Sequence, residues 1–250
     1  MRIVSVVPSL TELLFDLNLD NQIVGVTRFC IHPKAKTKAI LKIGGTKNLK
    51  IQKIIDLKPD LIVANKEENE RSDIEELQKH CVVWVTDILT IADALKVIIT
   101  LGKKTNTEIL AQSLVSKIKN EFEGLHKLNS EEPRNTAYLI WNDPIMLAGR
   151  KTFIQDMLEQ IGCNNILKDS ASRYPISSIE ELKALNPNYI FLSSEPYPFK
   201  EKHQLAFQKA LPNSKVLLVD GEMFSWYGSR MAKAPNYFNK LVDTLKETID

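Results

Sequence analysis

The stretch RIVSVVPSLTELLFDLN, residues 2–18, decides the fold of this 250-residue chain. Its apolar run over residues 2–7 predicts a β-strand. Ser9 and Glu12 match a capping box, in which the serine caps the helix start and the glutamate reaches back. The apolar positions that follow predict a helix over residues 10–18. A strand followed by an amphipathic helix is the repeating unit of an α/β fold.

The same alternation continues outward through the first hundred residues. Short apolar runs predict strands, and runs with a helical period predict helices. The predicted strands cover 23–26, 60–64 and 82–85, and the predicted helices cover 51–57, 74–79 and 91–101. We therefore predict a complete α/β lobe with a mostly parallel sheet over residues 1–104.

Residues 105–129 differ in character. Apolar residues recur there at spacings of three and four up to residue 128, which predicts one long helix of roughly 35 Å. The α/β pattern resumes with a strand over 136–141, so a second lobe is expected over residues 130–250. The segments 51–67 and 179–195 also share a helix–Pro–strand pattern, which fits two similar lobes or merely shared α/β grammar. We predict two similar lobes joined by one helix, with a ligand cleft between them.

Composition narrows the functional classes. The chain is 44% hydrophobic and 26% charged, and 33 Lys and Arg against 31 Asp and Glu give a net charge of +2. This balance is typical of a globular protein and argues against a nucleic-acid partner. The three cysteines lie far apart and none of the four histidines has metal-ligand spacing, so we predict no metal site. No nucleophile motif is present, so we predict a binding protein and not an enzyme.

Aromatic side chains at predicted strand ends are the main functional signal. Phe29, Trp84 and Trp226 would form a flat apolar clamp for a large planar ligand if they face one cleft. Arg150 and Arg230 would supply positive charge for anionic groups of that ligand. Packing in the core is the alternative for each aromatic ring.

Two glycine turns stand beside cations, at residues 44–47 and 148–152. Each is compatible with an anion held at a helix start. Neither matches the P-loop or the dinucleotide motif, so an ordinary turn with a solvated Lys or Arg stays open for both.

Several stretches together resemble the helical-backbone (class III) substrate-binding proteins of ABC importers, of the cobalamin and iron-siderophore type. These are RIVSVVPSLTELLF at 2–15, IVGVT at 23–27, GGTKN at 44–48, LKPDLIVANKEEN at 57–69, AGRKTFIQDMLEQIGCNNIL at 148–167 and FSWYGSRMAKAP at 224–235. The resemblance therefore covers essentially the whole chain. It implies two α/β lobes joined by a long helix, a ligand in the cleft and little hinge motion.

The resemblance also implies which loops line the cleft and hold a corrin or similar chelate by stacking. The implied ligand-binding residues are Pro8, Ser9, Phe29, His32, Trp84, Met146, Arg150, Phe224 and Trp226, and Arg230 joins them on its charge. Asn65 and Lys66 stand where cobalamin binders can carry an aromatic residue, which weakens the case for cobalamin itself.

The family docks onto its permease through one acidic residue on each lobe, which meets arginines of the transporter. The implied residue on the first lobe is Glu70, chosen over its neighbours Glu67 and Glu68. On the second lobe Ser225 stands at the matching position, so Glu222 is chosen to substitute, with Glu195 as the alternative.

These observations predict a monomeric receptor for a metal chelate, with cobalamin first and an iron-siderophore or haem second, feeding an ABC permease. No cofactor is expected besides that ligand. The alternative is a cytoplasmic enzyme or chaperone that handles a tetrapyrrole or metal cofactor in the same cleft. The apolar run at residues 3–7 is too short for a signal peptide. The resemblance implies an extracytoplasmic location, and a cytoplasmic one stays open.

Overall fold

A computed structural model describes residues 1–128 and 134–246 of the chain. These residues form alternating helices and strands, which confirms the predicted α/β class. The first half contains β1 (Ile3–Ser5), α1 (Pro8–Asp16), β2 (Ile23–Val26), α2 (Lys34–Thr37), β3 (Gly44–Gly45), β4 (Asn48–Leu49), α3 (Ile51–Asp56), β5 (Leu61–Asn65), α4 (Arg71–Gln78), β6 (Val83–Thr86), α5 (Ile91–Thr105) and α6 (Glu108–Glu123).

The second half follows the same alternation. It contains β7 (Arg134–Asn142), β8 (Ile145–Leu147), α7 (Phe153–Gln160), β9 (Cys163–Asn165), β10 (Ile176–Ser177), α8 (Ile179–Leu185), β11 (Tyr189–Ser193), α9 (Glu201–Ala210), β12 (Lys215–Val219), α10 (Gly221–Ser225) and α11 (Ala234–Lys246). In the part of the chain that the structure describes, no helix is both long and apolar enough to cross a bilayer.

The described chain divides into two compact units. Unit 1 comprises Met1–Ile88, Ala92–Lys119 and Tyr227–Ala232, and unit 2 comprises the described residues of Leu89–Ile91, Asn120–Trp226 and Lys233–Asp250. The short segment Tyr227–Ala232 therefore belongs to unit 1 although it lies late in the sequence. The predicted domain limits at residues 104 and 129 stay predictions, and the second lies at the start of residues outside the described range.

Unit 1 is built on a four-stranded sheet with the order β2-β1-β5-β6, and every neighbouring pair is parallel. The two central strands, β1 and β5, are buried along their whole length. This burial explains why they read as continuous apolar runs instead of alternating ones. Since all four strands run the same way, the loops that follow them meet at one edge of the sheet, the carboxyl edge of unit 1.

The start of α1 corrects the predicted capping box. The helix begins at Pro8, its N-cap is Val7, and no side chain caps it. Proline suits the first helical position because the backbone N–H that it lacks would have no partner there. Ser9 therefore lies inside the helix, and the Glu12 carboxylate is used elsewhere.

The predicted long helix is shorter than expected. α5 ends at Thr105, Asn106 has a left-handed φ of 56°, and the new helix α6 starts only at Glu108. Asparagine adopts that conformation more readily than most residues, so it ends α5 within the range predicted for the long helix. α6 ends at Glu123, so the residues just before 129 lie outside it.

Unit 2 is built on a mixed sheet with the order β10-β8-β7-β11-β12, and β9 also pairs with β7. β7, β11 and β12 are parallel, and β8 and β10 add antiparallel pairs. The two segments with a shared sequence pattern form equivalent pieces, α3 with β5 and α8 with β11. Each of those strands lies between two parallel neighbours, so its following loop lies at the carboxyl edge of its sheet.

Candidate functional site

The carboxyl edge of unit 1 brings together several predicted ligand-binding residues. Pro8 and Ser9 follow β1, and Phe29 and His32 follow β2. The Phe29 ring is 47% exposed, and the Arg28 guanidinium lies 4.9 Å from its centre. His32 is half-buried and Ser9 is buried. Phe29 is therefore the member of this group that offers the largest open apolar face.

Trp84 lies on β6, the strand at one side of the unit 1 sheet. It is the second residue of β6, paired in register with Val63, which in turn pairs with Ser5, the last residue of β1. The Lys104 ammonium of α5 lies 5.6 Å from the centre of the indole ring. Trp84 is thus level with the end of β1, and its predicted contact with a ligand stays a prediction.

The first glycine turn is a tight hairpin. Gly44 has a φ of 109°, and a Cβ there would lie 2.4 Å from the backbone oxygen of Asn48. Lys47 donates to the backbone oxygen of Glu67 at 2.7 Å and lies 3.6 Å from the Glu70 carboxylate. The turn therefore needs glycine for a close backbone approach, and its lysine contacts the loop after β5.

Arg230, a predicted ligand contact, forms a buried ion pair inside unit 1. Its Nε and Nη2 atoms donate to the two carboxylate oxygens of Glu12 at 2.7 and 2.8 Å. Both side chains are almost fully buried. Gly228, with a φ of 97°, brings this segment against Leu13, since a Cβ there would lie 3.3 Å from the Leu13 Cβ. The charge of Arg230 is therefore balanced within the protein.

Phe224, another predicted ligand contact, lies at the centre of the aromatic core of unit 2. Its side chain is fully buried. The ring centres of its neighbours lie 4.7–6.4 Å away, and these neighbours are Tyr138, Phe191, Tyr237 and Phe238. Tilted and edge-on aromatic pairs at such distances stabilise a core beyond their buried area. The structure thus gives Phe224 a packing role.

Trp226 is buried too, and its indole is anchored to Glu195. The indole Nε1 donates to Oε1 of Glu195 at 2.7 Å, and the Ser225 hydroxyl donates to the same oxygen at 2.6 Å. Glu195 follows β11 and the other two residues follow β12, so the three meet at the carboxyl edge of the unit 2 sheet. One cluster at this edge therefore contains the three residues named above for permease docking, Ser225, Glu195 and Glu222.

The environment of Glu195 raises the pKa of its carboxyl group. Burial is the largest cause, the nearby charges of Glu222 and Asp220 add to it, and the bonds from Ser225 and Trp226 oppose it. An acid with a raised pKa in the folded state stabilises the fold below its unfolded pKa, and that contribution is lost as pH rises through the folded pKa.

We expect Glu195→Gln to be more stable than the wild-type protein at neutral pH. Both donors bind one oxygen, Oε1, which an amide retains, while the buried charge disappears. The stability gain should shrink as pH falls and vanish when the wild-type carboxyl is protonated. Thermal unfolding from pH 4 to pH 8 measures it, and a gain that is constant across this range would contradict the assignment.

The remaining predicted residues of unit 2 lie on β8 and the turn before α7. Met146 is half-buried in β8, and Arg150 is half-buried before Thr152, which caps α7. Among the described residues, no carboxylate forms an ion pair with Arg150 or with Arg28. Gly149 is enclosed, since a Cβ there would lie 2.5 Å from the Ser170 hydroxyl.

The two candidate docking residues differ in exposure. Glu70 is exposed at the N-cap of α4, and Glu222 is half-buried in α10.

Within the described ranges, no group of three or more His, Cys, Asp or Glu side chains is arranged to hold a metal ion. Burial raises the pKa of the Cys30 thiol, and it raises that of Cys163 to about 12.

Sequence reasoning missed Asn69 and the structural roles of Glu12, Asn65 and Glu195 at the two edges. Glu12 and the pair Asn65 and Asn69 make buried hydrogen bonds in unit 1, and Glu195 does so in unit 2. An available signal was the pattern Asn-x-x-x-Asn directly after a strand, because asparagine side chains commonly hold turns. No local signal marks Glu12, since its partner lies 218 residues away.

Comparison with known proteins supports a single family. YvrC, an uncharacterized ABC transporter substrate-binding lipoprotein of Bacillus subtilis, is 26% identical to this chain, and the alignment covers 98% of the chain and 82% of YvrC. A vitamin B12-binding protein of Vibrio campbellii is 24% identical over 77% of the chain and 70% of its own length. The periplasmic heme-binding protein RhuT of Roseiflexus sp. RS-1 has the same fold, with a TM-score of 0.80, 17% identity and 98% of each chain covered. Residues 3–220 match the family described as periplasmic binding protein, so the chain belongs to that family.

Proposed function

We propose that this chain is the substrate-binding component of an ABC importer and that it captures a metal chelate, with cobalamin first and an iron-siderophore or haem second. The observation that carries this proposal is the family match over residues 3–220, supported by the relative that aligns with 98% of the chain. The names of other similar proteins give vitamin B12 and heme as their ligands. In this proposal the chelate is bound and released unchanged, without a resident cofactor and without an enzymatic step.

The surface chemistry of unit 1 suits such a ligand. Phe29 offers an open ring backed by the Arg28 guanidinium, at the carboxyl edge where α/β sheets bind ligands. An aromatic face contacts a planar macrocycle over a large apolar area. Arg28 carries a positive charge suited to a carboxylate group of a chelate.

The proposal includes a partner and a location. The protein would act outside the cytoplasmic membrane as a monomer and deliver its ligand to an ABC permease, with no nucleic-acid partner. Glu70 and Glu222 are the proposed docking carboxylates, and Glu195 is the alternative to Glu222. Exposure at the start of α4 makes Glu70 accessible to a cationic partner surface.

A titration tests the proposal. Purified protein is mixed with cyanocobalamin, ferrichrome or haemin, tryptophan fluorescence is followed, and calorimetry gives the stoichiometry. Saturable one-to-one binding of one chelate is the expected result. Absence of binding by all three chelates would overturn the chelate assignment.

The chelate affinity of Phe29→Ala tests whether the Phe29 ring contacts the ligand. Loss of the ring should cost about 1–2 kcal/mol of binding, or a roughly 5- to 30-fold weaker affinity, if the ligand covers its open half. Val82→Ala is the matched control, because Val82 is an exposed apolar residue that precedes β6 at the opposite edge of the same sheet. Equal affinities of the two variants would remove Phe29 from the ligand contact.

A further inference from the structure

One buried side chain, that of Asn69, holds three loops of unit 1 together. Its amide nitrogen donates to the backbone oxygen of Val6 at 3.0 Å and to that of Thr46 at 3.2 Å. Its amide oxygen accepts the backbone N–H of Asn65 at 2.9 Å. These partners lie after β1, in the turn from β3 to β4, and at the end of β5. Asn69 therefore links the loops on which Pro8, Lys47 and Glu70 stand.

Asn65 extends the network to the edge strand. Its amide oxygen accepts the backbone N–H groups of Glu67 at 2.8 Å and Glu68 at 3.2 Å. Its amide nitrogen donates to the backbone oxygen and the hydroxyl of Thr86 at 3.2 and 3.1 Å. The loop after β5 is thus fixed at both ends, to β6 by one asparagine and to β1 by the other.

The network is fully buried and fully bonded. Asn65 is 2% exposed and Asn69 is 4% exposed, and every amide nitrogen and oxygen of the two side chains has a partner. A buried polar network of this kind fixes one backbone arrangement, because any other would leave carbonyls or N–H groups without partners. Neither side chain is open to a ligand, so any effect on binding must act through the loops.

We propose that Asn69, supported by Asn65, is a positioning residue for the carboxyl edge of unit 1. It holds the turns at residues 6–9 and 44–47 and the acidic loop at 66–70 in their binding-competent arrangement. This inference rests on the proposed function. Preorganised loops lower the cost of binding, and the apparent dissociation constant rises in proportion as the competent fraction falls.

Two substitutions of Asn69 test its amide oxygen, which accepts one hydrogen bond, and its amide nitrogen, which donates two. Asn69→Leu keeps the shape and removes all three bonds. Asn69→Asp keeps an oxygen for the Asn65 N–H but donates nothing to Val6 or Thr46, so we expect it to behave like the leucine variant. Gln208→Leu is the matched control in unit 2, where the Gln208 amide donates to the backbone oxygen of Ser214 at 2.8 Å and accepts from Val216 at 3.1 Å.

The experiment combines hydrogen exchange without ligand and titration with cyanocobalamin and haemin, at a temperature where all variants are folded. Both Asn69 variants should raise amide exchange in residues 6–9 and 44–47 at least tenfold and weaken binding by about 10- to 100-fold. The Gln208 variant should change neither quantity by more than about twofold.

The possible failures are distinguishable. Unchanged loop exchange in Asn69→Leu overturns the inference, and so does faster exchange with wild-type affinity. If the wild-type protein binds neither of these probes nor ferrichrome, the chelate proposal itself fails and this inference fails with it. Normal binding by Asn69→Leu overturns the inference alone.

Discussion

Arg230→Met should lower the free energy of unfolding of unit 1 by about 3–5 kcal/mol. The arginine and Glu12 are 8% and 6% exposed, and two parallel hydrogen bonds join them. Methionine fills a similar volume but leaves the carboxylate buried without its cation. The cost of an uncompensated buried charge is the reason for the large expected loss.

Hydrogen exchange of the β1 and β5 amides measures this loss where it arises. The double variant Glu12→Leu, Arg230→Met should recover most of it, because no buried charge then remains. Arg71→Met is the control, since Arg71 pairs with Glu75 on an exposed helix face and its loss should leave exchange unchanged. A wild-type exchange pattern in Arg230→Met would show that the ion pair does not hold the segment Tyr227–Ala232 in unit 1.

The capping-box error shows what a local pattern can predict. Ser9 and Ser178 each begin a Ser-x-x-Glu pattern at a predicted helix start, and of these two only Ser178 forms the box, with both reciprocal bonds to Glu181 in place. At the first, Pro8 takes the first helical position and Glu12 pairs with Arg230. Four residues of sequence cannot distinguish these cases, because the deciding partner comes from the far end of the chain.

By contrast, strands and helices with a clear local apolar period were predicted well. β2 has the predicted bounds Ile23–Val26, and β5 and α3 differ from prediction by one residue at their ends. Their apolar patterns reflect burial in a neighbouring layer, which the sequence records residue by residue. α6 is shorter than the predicted helix at both ends: the left-handed residue Asn106, which leaves the apolar period intact, delays its start to Glu108, and it ends at Glu123.

The exposure of the candidate site residues could not be predicted from the sequence, because it depends on packing against distant parts of the chain. Phe29 and Phe224 both follow strands in the sequence, yet one ring is 47% exposed and the other is 0% exposed. Four aromatic residues from separate elements enclose the second ring. A position after a strand therefore does not predict which rings remain open.

Phe224→Ala should lower the free energy of unfolding of unit 2 by about 3–5 kcal/mol, the usual cost of truncating a buried aromatic residue. The cavity would open among Tyr138, Phe191 and Phe238, whose ring centres lie 4.7–6.0 Å from that of Phe224. Phe224→Leu keeps most of the volume and should cost less than about 1.5 kcal/mol. Exchange of the β7 and β11 amides measures both losses.

The same variants separate the packing role of Phe224 from a ligand contact. If the ring only packs the core, the leucine variant should bind a chelate as the wild-type protein does, while the alanine variant loses stability. If the ring touches the ligand, the leucine variant should lose affinity at nearly unchanged stability, because an aliphatic side chain cannot stack on a macrocycle as a ring does. Full burial of the ring in the structure leads us to expect the first result.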